Sequence, residues 1–246
     1  MKKIFAQTVS LFTILTCLLV VQSAHSNPHA EITEMHKPLV VMLHGLGRSR
    51  ISLWLLASRL EDAGFQVERI GYRSLDLSPE EAIESVGQKI NACCASHPGP
   101  VHFVGYSLGG LLVRAHLQQN VVERLGRVVL IGTPNKGSGL VDEFEDNFVM
   151  SLLGPTAAAL GTASDGLPAR LARPDYPVGV IAGVTESEWN DRWLPGPDDG
   201  LISVESTKLR GMSDFVEIES GHSMMRYNRE VARQTIAFLK TGRFSQ

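Results

Sequence analysis

Gly105-Tyr106-Ser107-Leu108-Gly109, with Gly110 directly behind it, spells G-x-S-x-G. Taken alone the pattern is weak: at ordinary Gly and Ser frequencies a chain of this length shows one by chance roughly one time in ten. Its setting makes it informative. An apolar run, Val101-His102-Phe103-Val104, leads in, and a helix-forming run, Leu111-Leu112-Val113-Arg114-Ala115, leads out. A serine on a strand-to-helix elbow is held at a strained backbone angle, so glycines must flank it to avoid clashes. The elbow exposes the hydroxyl and sets it at a helix N-terminus, where developing negative charge is stabilised. This is the arrangement of a serine nucleophile. The bland alternative is a glycine-rich turn with a solvent-facing serine.

Such a serine needs a base, an acid to orient the base, and donors for the oxyanion. Behind an elbow of this kind the partners follow in chain order, acid and then histidine. Only His116 and His222 lie after Ser107. His116 is on the same predicted helix, about 13 Å along it at 1.5 Å per residue, which is beyond hydrogen-bonding reach. His222 sits in Ser220-Gly221-His222-Ser223, after a predicted strand and before the last helix. It is therefore the expected base, with a loop-capping role as the alternative. The acid is expected in the loop after the strand-like run 178–183, where Asp191, Asp198 and Asp199 are candidates. Asp199, directly before Gly200, is preferred, and Asp198 can instead cap the turn. Glu186, Glu188 and Glu205 are weaker candidates. The acid would hold His222 in the right tautomer and stabilise the imidazolium. His44-Gly45-Leu46-Gly47 follows the first strong strand, and its glycines let the backbone approach a reacting carbonyl. The N–H groups of Leu46 and Leu108 are the expected oxyanion donors. His44 is expected to prop this loop rather than to catalyse.

The elements that must hold these groups alternate in type. Strand-like runs occupy 39–43, 66–71, 101–105, 127–131, 178–183 and 215–219. Helix-like runs occupy 50–63, 78–96, 108–120 and 228–240. Leu39-Val40-Val41-Met42-Leu43 is apolar throughout, as in a strand buried on both faces. Ser78-Pro79-Glu80-Glu81 starts a helix, with a serine cap, proline in the first turn and acids at the positive end. The alternation predicts a parallel sheet covered by helices on both sides.

That rhythm breaks between Asn135 and Pro177. Val141, Phe144, Phe148, Val149 and Leu152 fall at helical spacing, with Asp142, Glu143, Glu145 and Asp146 on the other face. Gly154, Pro155, Gly161, Gly166, Pro168 and Pro174 then interrupt the chain. The segment leaves from a strand's carboxyl end, where sites lie in such folds, so a cap or lid is expected. An ordinary surface helix and loop is the alternative.

The chain has 246 residues, 43% of them hydrophobic, enough for one domain, expected over 27–246. Its first 26 residues read as a secretory signal peptide: Met1-Lys2-Lys3, an uncharged apolar run from Ile4 to Val21, and Ala24-His25-Ser26 before the expected cut. An exported protein, periplasmic or extracellular, follows. The alternative is a membrane anchor, since the run is near the roughly 20 residues that span a bilayer. Cleavage would remove Lys2, Lys3 and no acids, taking the formal charge from −3 to two units more negative. No basic run suggests nucleic acid. Cys93 and Cys94 are adjacent, a spacing that rarely bridges without strain, and are expected as two helical thiols, at least one buried.

The set HGLG at 44–47, GYSLGG at 105–110, IGTPNKGS at 131–138, DDGLIS at 198–203 and GHS at 221–223 resembles lipase-like α/β-hydrolases. Bacterial triacylglycerol lipases and the group typified by GPI-inositol deacylase are the nearest in pattern, and the likeness covers roughly residues 38–240. The resemblance implies the α/β-hydrolase fold, a doubly wound, mainly parallel sheet with a small cap insertion. It implies ester hydrolysis through an acyl-enzyme, on a small-molecule or lipid substrate, with possible contact to a membrane surface. Asp199 matches the aspartate of the family's DG turn, His222 its late histidine, and Leu46 and Leu108 its oxyanion positions. No cofactor and no metal are implied by these motifs, although the acids near the DG turn leave a calcium site open. Tyr106 departs from the pattern, since many lipases have histidine before the nucleophile, and the modest insertion argues against a large lid. An acyltransferase or thioesterase on the same triad is the runner-up, and a hydrolase-fold protein that only binds a ligand is a further alternative.

Overall fold

The computed structural model describes residues 37–144, 153–185 and 193–246. The leader at 1–26, three apolar positions of the insertion (Phe148, Val149, Leu152) and the acid candidates Glu186, Glu188 and Asp191 lie outside the described residues.

Six strands form the sheet: β1 (Leu39–Leu43), β2 (Gln66–Ile70), β3 (Val101–Tyr106), β4 (Leu125–Ile131), β5 (Val178–Val184) and β6 (Asp214–Glu219). They lie in the order β2-β1-β3-β4-β5-β6, and every neighbouring pair is parallel. The apolar strands occupy the middle. β1 and β3 are buried along their whole length, whereas β2 at the edge alternates between exposed and partly buried residues until the buried Ile70 that ends it.

Side chains alternate across the sheet and so build two cores. On one face Leu39, Val41, Leu43, Phe103, Val128 and Leu130 pack under α2 (Pro79–Cys94) and α3 (Leu108–Gln119). On the other, Val40, Met42, Val104, Val129 and Ile131 pack under α1 (Trp54–Asp62) and α7 (Arg229–Thr241). Each fully buried Leu, Ile or Phe contributes about 1.5–3 kcal/mol relative to exposure. The helix boundaries have local causes. Ser78 and Glu81 form a reciprocal capping box at the start of α2, and the Asn228 side chain accepts from Glu230 and Val231 at the start of α7. Helix α1 opens as a tighter 3-10 turn, Arg50–Leu53, rather than as α-helix. Three further short α-helices lie among the described residues: α4 (Gly139–Phe144), α5 (Pro155–Ala158) and α6 (Val204–Thr207).

The strand order reverses between β1 and β3, where β2 lies on one side and β4 on the other. At such a switch point the loops that follow the two strands diverge and leave a crevice. Those loops are His44-Gly45-Leu46-Gly47 and the Ser107 elbow.

Among the described residues no helix is long and apolar enough to cross a membrane. Cys93 and Cys94 end α2 as free thiols, the second buried.

Several histidines are locked in the core. Burial pushes His102 down from 6.5 to about 4, with Arg127 adding to the shift, and burial also lowers His44 and His116. A folded state that resists protonation loses stability where the unfolded chain takes up protons. The contribution of His102 is therefore complete above about pH 6.5 and is lost as the pH falls toward 4. Urea midpoints measured across that window should fall, and His102→Gln should flatten the decline. An unchanged slope in the variant would exclude His102 as a source.

Candidate active site

Ser107 sits between β3 and α3 with φ 55° and ψ −126°, and among the described residues it alone has a positive φ without being glycine. Such a backbone costs of order 1–3 kcal/mol and persists only where its surroundings enforce it. The flanking glycines show why. A Cβ on Gly105 would lie 2.3 Å from the Gly110 Cα, and one on Gly109 would lie 2.3 Å from the Leu43 carbonyl oxygen. The elbow is thus wedged against β1, and any side chain at either position would push it out.

The His222 Nε2 lies 3.0 Å from the Ser107 Oγ, and the His222 Nδ1 lies 2.6 Å from the Asp199 Oδ2. Ser107, His222 and Asp199 are all buried. Asp199 is held from its other oxygen: Oδ1 accepts from the N–H groups of Leu201 and Ile202 at 3.0 and 2.8 Å. The His222 N–H also donates to the Asp199 carbonyl at 2.7 Å, so the two loops are joined through backbone as well as side chains. Asp198 is turned elsewhere, and its Oδ1 accepts from the Gly200 N–H at 2.6 Å within the turn. Glu205 lies on α6 and pairs with Lys136 and Lys208. His116 is in the core beside Phe103, away from these groups.

Leu108 is the first residue of α3, so its N–H has no carbonyl to bond within the helix. Neither it nor the Leu46 N–H has an intramolecular acceptor among the described residues. The Leu46 loop is braced from β2's end: the Gly47 N–H donates to the Ser74 Oγ at 3.0 Å, and the Tyr72 hydroxyl donates to the His44 carbonyl. His44 itself is buried and stacks on Tyr72 at 4.2 Å, with its Nδ1 2.9 Å from the Gly45 carbonyl. Its burial favours the neutral ring, which suits a prop and not a proton carrier.

A cavity of about 280 Å³ opens over Ser107 and His222. Its walls are mostly apolar and include Leu140, Val141, Phe144, Ala157, Leu160 and Ile202. The first five belong to the 135–177 segment, so its described parts form a wall of the cavity. The described parts of the segment are anchored at several points. Arg114 Nη1 donates to the Asn135 Oδ1 at 2.9 Å, and Asn135 Nδ2 donates to the Thr207 carbonyl at 2.7 Å. Ser138 is tied to Leu160 and Leu201, and Thr156 to Leu77.

A sequence model of the alpha/beta hydrolase family matches residues 40–234. The chain belongs to the α/β-hydrolase family. Solved structures share its fold. The mature lipase BlEst2 of Bacillus licheniformis superposes with a TM-score of 0.66 at 18% identity, over 84% of this chain and 92% of that one. The metagenomic carboxyl esterase MGS0156 gives 0.56 at 16% identity, over 76% and 65%. Phospholipase PlaB of Legionella pneumophila gives 0.54 at 14%, over 70% and 46%. No curated protein sequence matches significantly.

Some parts of this α/β-hydrolase site gave no sign in the sequence. Tyr106, noted only as a departure from the lipase pattern, donates from its hydroxyl to the His222 carbonyl at 2.8 Å and packs beside the imidazole. Burial pushes its hydroxyl up to about 12, which keeps it a donor. Gly132, at φ 54°, lets the imidazole lie close: a Cβ there would be 3.2 Å from the His222 ring. The bracing by Tyr72 and Ser74 crosses from another loop and has no local motif. No group of three or more His, Cys, Asp or Glu able to hold a metal exists among the described residues.

Proposed function

We propose that this α/β-hydrolase cleaves carboxylic esters through an acyl-enzyme, with Ser107 as nucleophile, His222 as general base and acid, and Asp199 as the group that orients His222. One observation carries the reading: the unbroken hydrogen-bonded line from Ser107 Oγ through His222 to Asp199, at 3.0 and 2.6 Å. As the Ser107 oxygen attacks the ester carbonyl, its proton passes to His222 Nε2. The Leu46 and Leu108 N–H groups receive the oxyanion; removing one such donor typically costs about 100- to 1000-fold in rate. His222 then gives its proton to the departing alcohol. Water enters, loses a proton to the same nitrogen and attacks the acyl carbonyl, which frees the carboxylic acid and restores Ser107. The apolar cavity suits the acyl chain. Residues 1–26 act in this reading as a cleaved export signal, leaving the domain 27–246 outside the cytoplasm.

A fluorophosphonate probe tests the central step, because it reacts only with an activated serine. Peptide mapping after labelling should find the probe on Ser107, with His222→Ala abolishing labelling. A folded protein that takes up no probe, or takes it up on another serine, would overturn the proposal.

A further inference from the structure

Six large hydrophobic residues are exposed among the described residues: Ile51, Trp54, Leu75, Val121, Leu201 and Met224. Their distribution is uneven. Ile51 and Trp54 follow β1, Leu75 follows β2, Leu201 follows β5 and Met224 follows β6. All strands are parallel, so these five share the sheet's carboxyl edge with Ser107, while Val121, in the turn before β4, lies at the opposite edge. Neighbours of these residues in the chain meet at that edge. Gly47 approaches Leu75, the Arg48 Nη2 reaches the Ser223 Oγ at 3.4 Å, and Leu201 lines the cavity mouth with Arg48 and Ser223. Ile51, Trp54 and Met224 are 67%, 53% and 59% exposed, on the edge that carries Ser107.

The charge beside them is specific. Arg48 and Arg50 are exposed and have no carboxylate partner among the described residues. Arg226, two residues after Met224, is not part of this surface: it stacks on Tyr227 and its Nε and Nη1 are buried. Of the described acids at this edge, Asp76 is paired with Arg73 and Glu205 with Lys136 and Lys208, Asp198 and Asp199 are buried, and Glu219 is exposed where β6 ends. The exposed acids nearest the cavity in sequence are Asp142 and Glu143 on α4, and Asp142 is engaged by Thr162. On a chain of formal charge −3, the described part of this edge thus carries two exposed arginines that no described carboxylate pairs, Arg48 at the cavity itself and Arg50 two residues on.

We infer that this rim docks on an anionic lipid surface. Tryptophan sits well at the headgroup boundary, aliphatic side chains enter the acyl region, and arginines meet lipid phosphates and carboxylates. The orientation places the apolar cavity directly over the bilayer, so that an acyl chain leaves the lipid without crossing water. The inference extends the ester-hydrolase reading by naming the surface from which substrate is drawn.

The test uses the full chain carrying Ser107→Ala, so that vesicles stay intact, and reads quenching of tryptophan fluorescence by brominated phosphatidylglycerol vesicles. A parallel Trp54→Phe variant separates Trp54 from Trp189 and Trp193, and the difference is unaffected by any tether elsewhere in the chain. Trp54 should be quenched, less so with brominated phosphatidylcholine, and less at 1 M salt, where screening reaches about 3 Å. Arg50→Gln should require about fivefold more vesicle, as expected for one cation near a charged surface, while its turnover of a dissolved ester stays unchanged. Equal quenching with and without Trp54 overturns the inference, as does equal quenching by both lipids. A Trp54 signal that follows protein concentration without lipid also overturns it and marks an interface between copies. Hydrolysis of a dissolved ester by the wild type without Trp54 quenching removes the docking and leaves the hydrolase reading; quenching without hydrolysis does the reverse.

Discussion

Alanine at position 107 is expected to lower kcat for a dissolved p-nitrophenyl ester by on the order of a millionfold. The substitution removes the atom that attacks. What remains, oxyanion donors and substrate binding, supplies only about 10³–10⁴-fold over water in comparable serine enzymes. The fold should hardly notice. Alanine keeps the Cβ and so keeps the strain already present at φ 55°. The loss is one hydrogen bond to His222, worth about 1 kcal/mol, or a few degrees in melting temperature for a domain of this size. Matched measurements of kcat and melting temperature check both halves. Activity within tenfold of wild type would remove Ser107 from the chemistry, and a collapsed melting temperature would assign it a structural role instead.

Asp199→Asn should lower kcat by about 10⁴-fold with KM little changed, whereas Asp198→Asn should change it by no more than a few-fold. The two neighbours differ in what their side chains hold. In Asp199→Asn the amide oxygen can keep the bonds from the Leu201 and Ile202 N–H groups, which turns the amide NH2 toward His222 Nδ1. Nδ1 must then accept, the ring proton moves to Nε2, and Nε2 cannot take the proton of Ser107. In Asp198→Asn the amide oxygen can still accept from the Gly200 N–H, so the turn survives. Fluorophosphonate labelling rates report the defect independently of substrate, since they follow the nucleophilicity of Ser107. Similar losses in both variants, or a larger loss at 198, would reassign the acid.

Much of this protein follows from rules that act over a few residues. Continuous apolar runs such as Leu39–Leu43 and the Ser78 capping box depend on neighbours in the chain, so strand and helix positions could be read before any contact was known. The edges moved slightly: β4 begins at Leu125 rather than at 127, because Leu125 pairs with Val101 across a register shift. The elbow is equally local, since a serine at positive φ needs glycine on both sides wherever it occurs. Elimination along the chain also pointed to His222, whose Nε2 lies 3.0 Å from the Ser107 Oγ.

Tertiary structure alone decided the rest. Adjacent residues on an extended turn point in opposite directions, so which of Asp198 and Asp199 meets a histidine 23 positions later depends on how two loops cross. The walls of the cavity come from α4, α5 and the 201–202 turn, and no periodicity in one segment announces a shared surface. The bracing of the Leu46 loop by Tyr72 and Ser74 joins residues nearly 30 positions apart. Backbone sterics and capping operate within a turn, whereas these contacts exist only after the parallel sheet has brought the carboxyl ends of its strands to one edge.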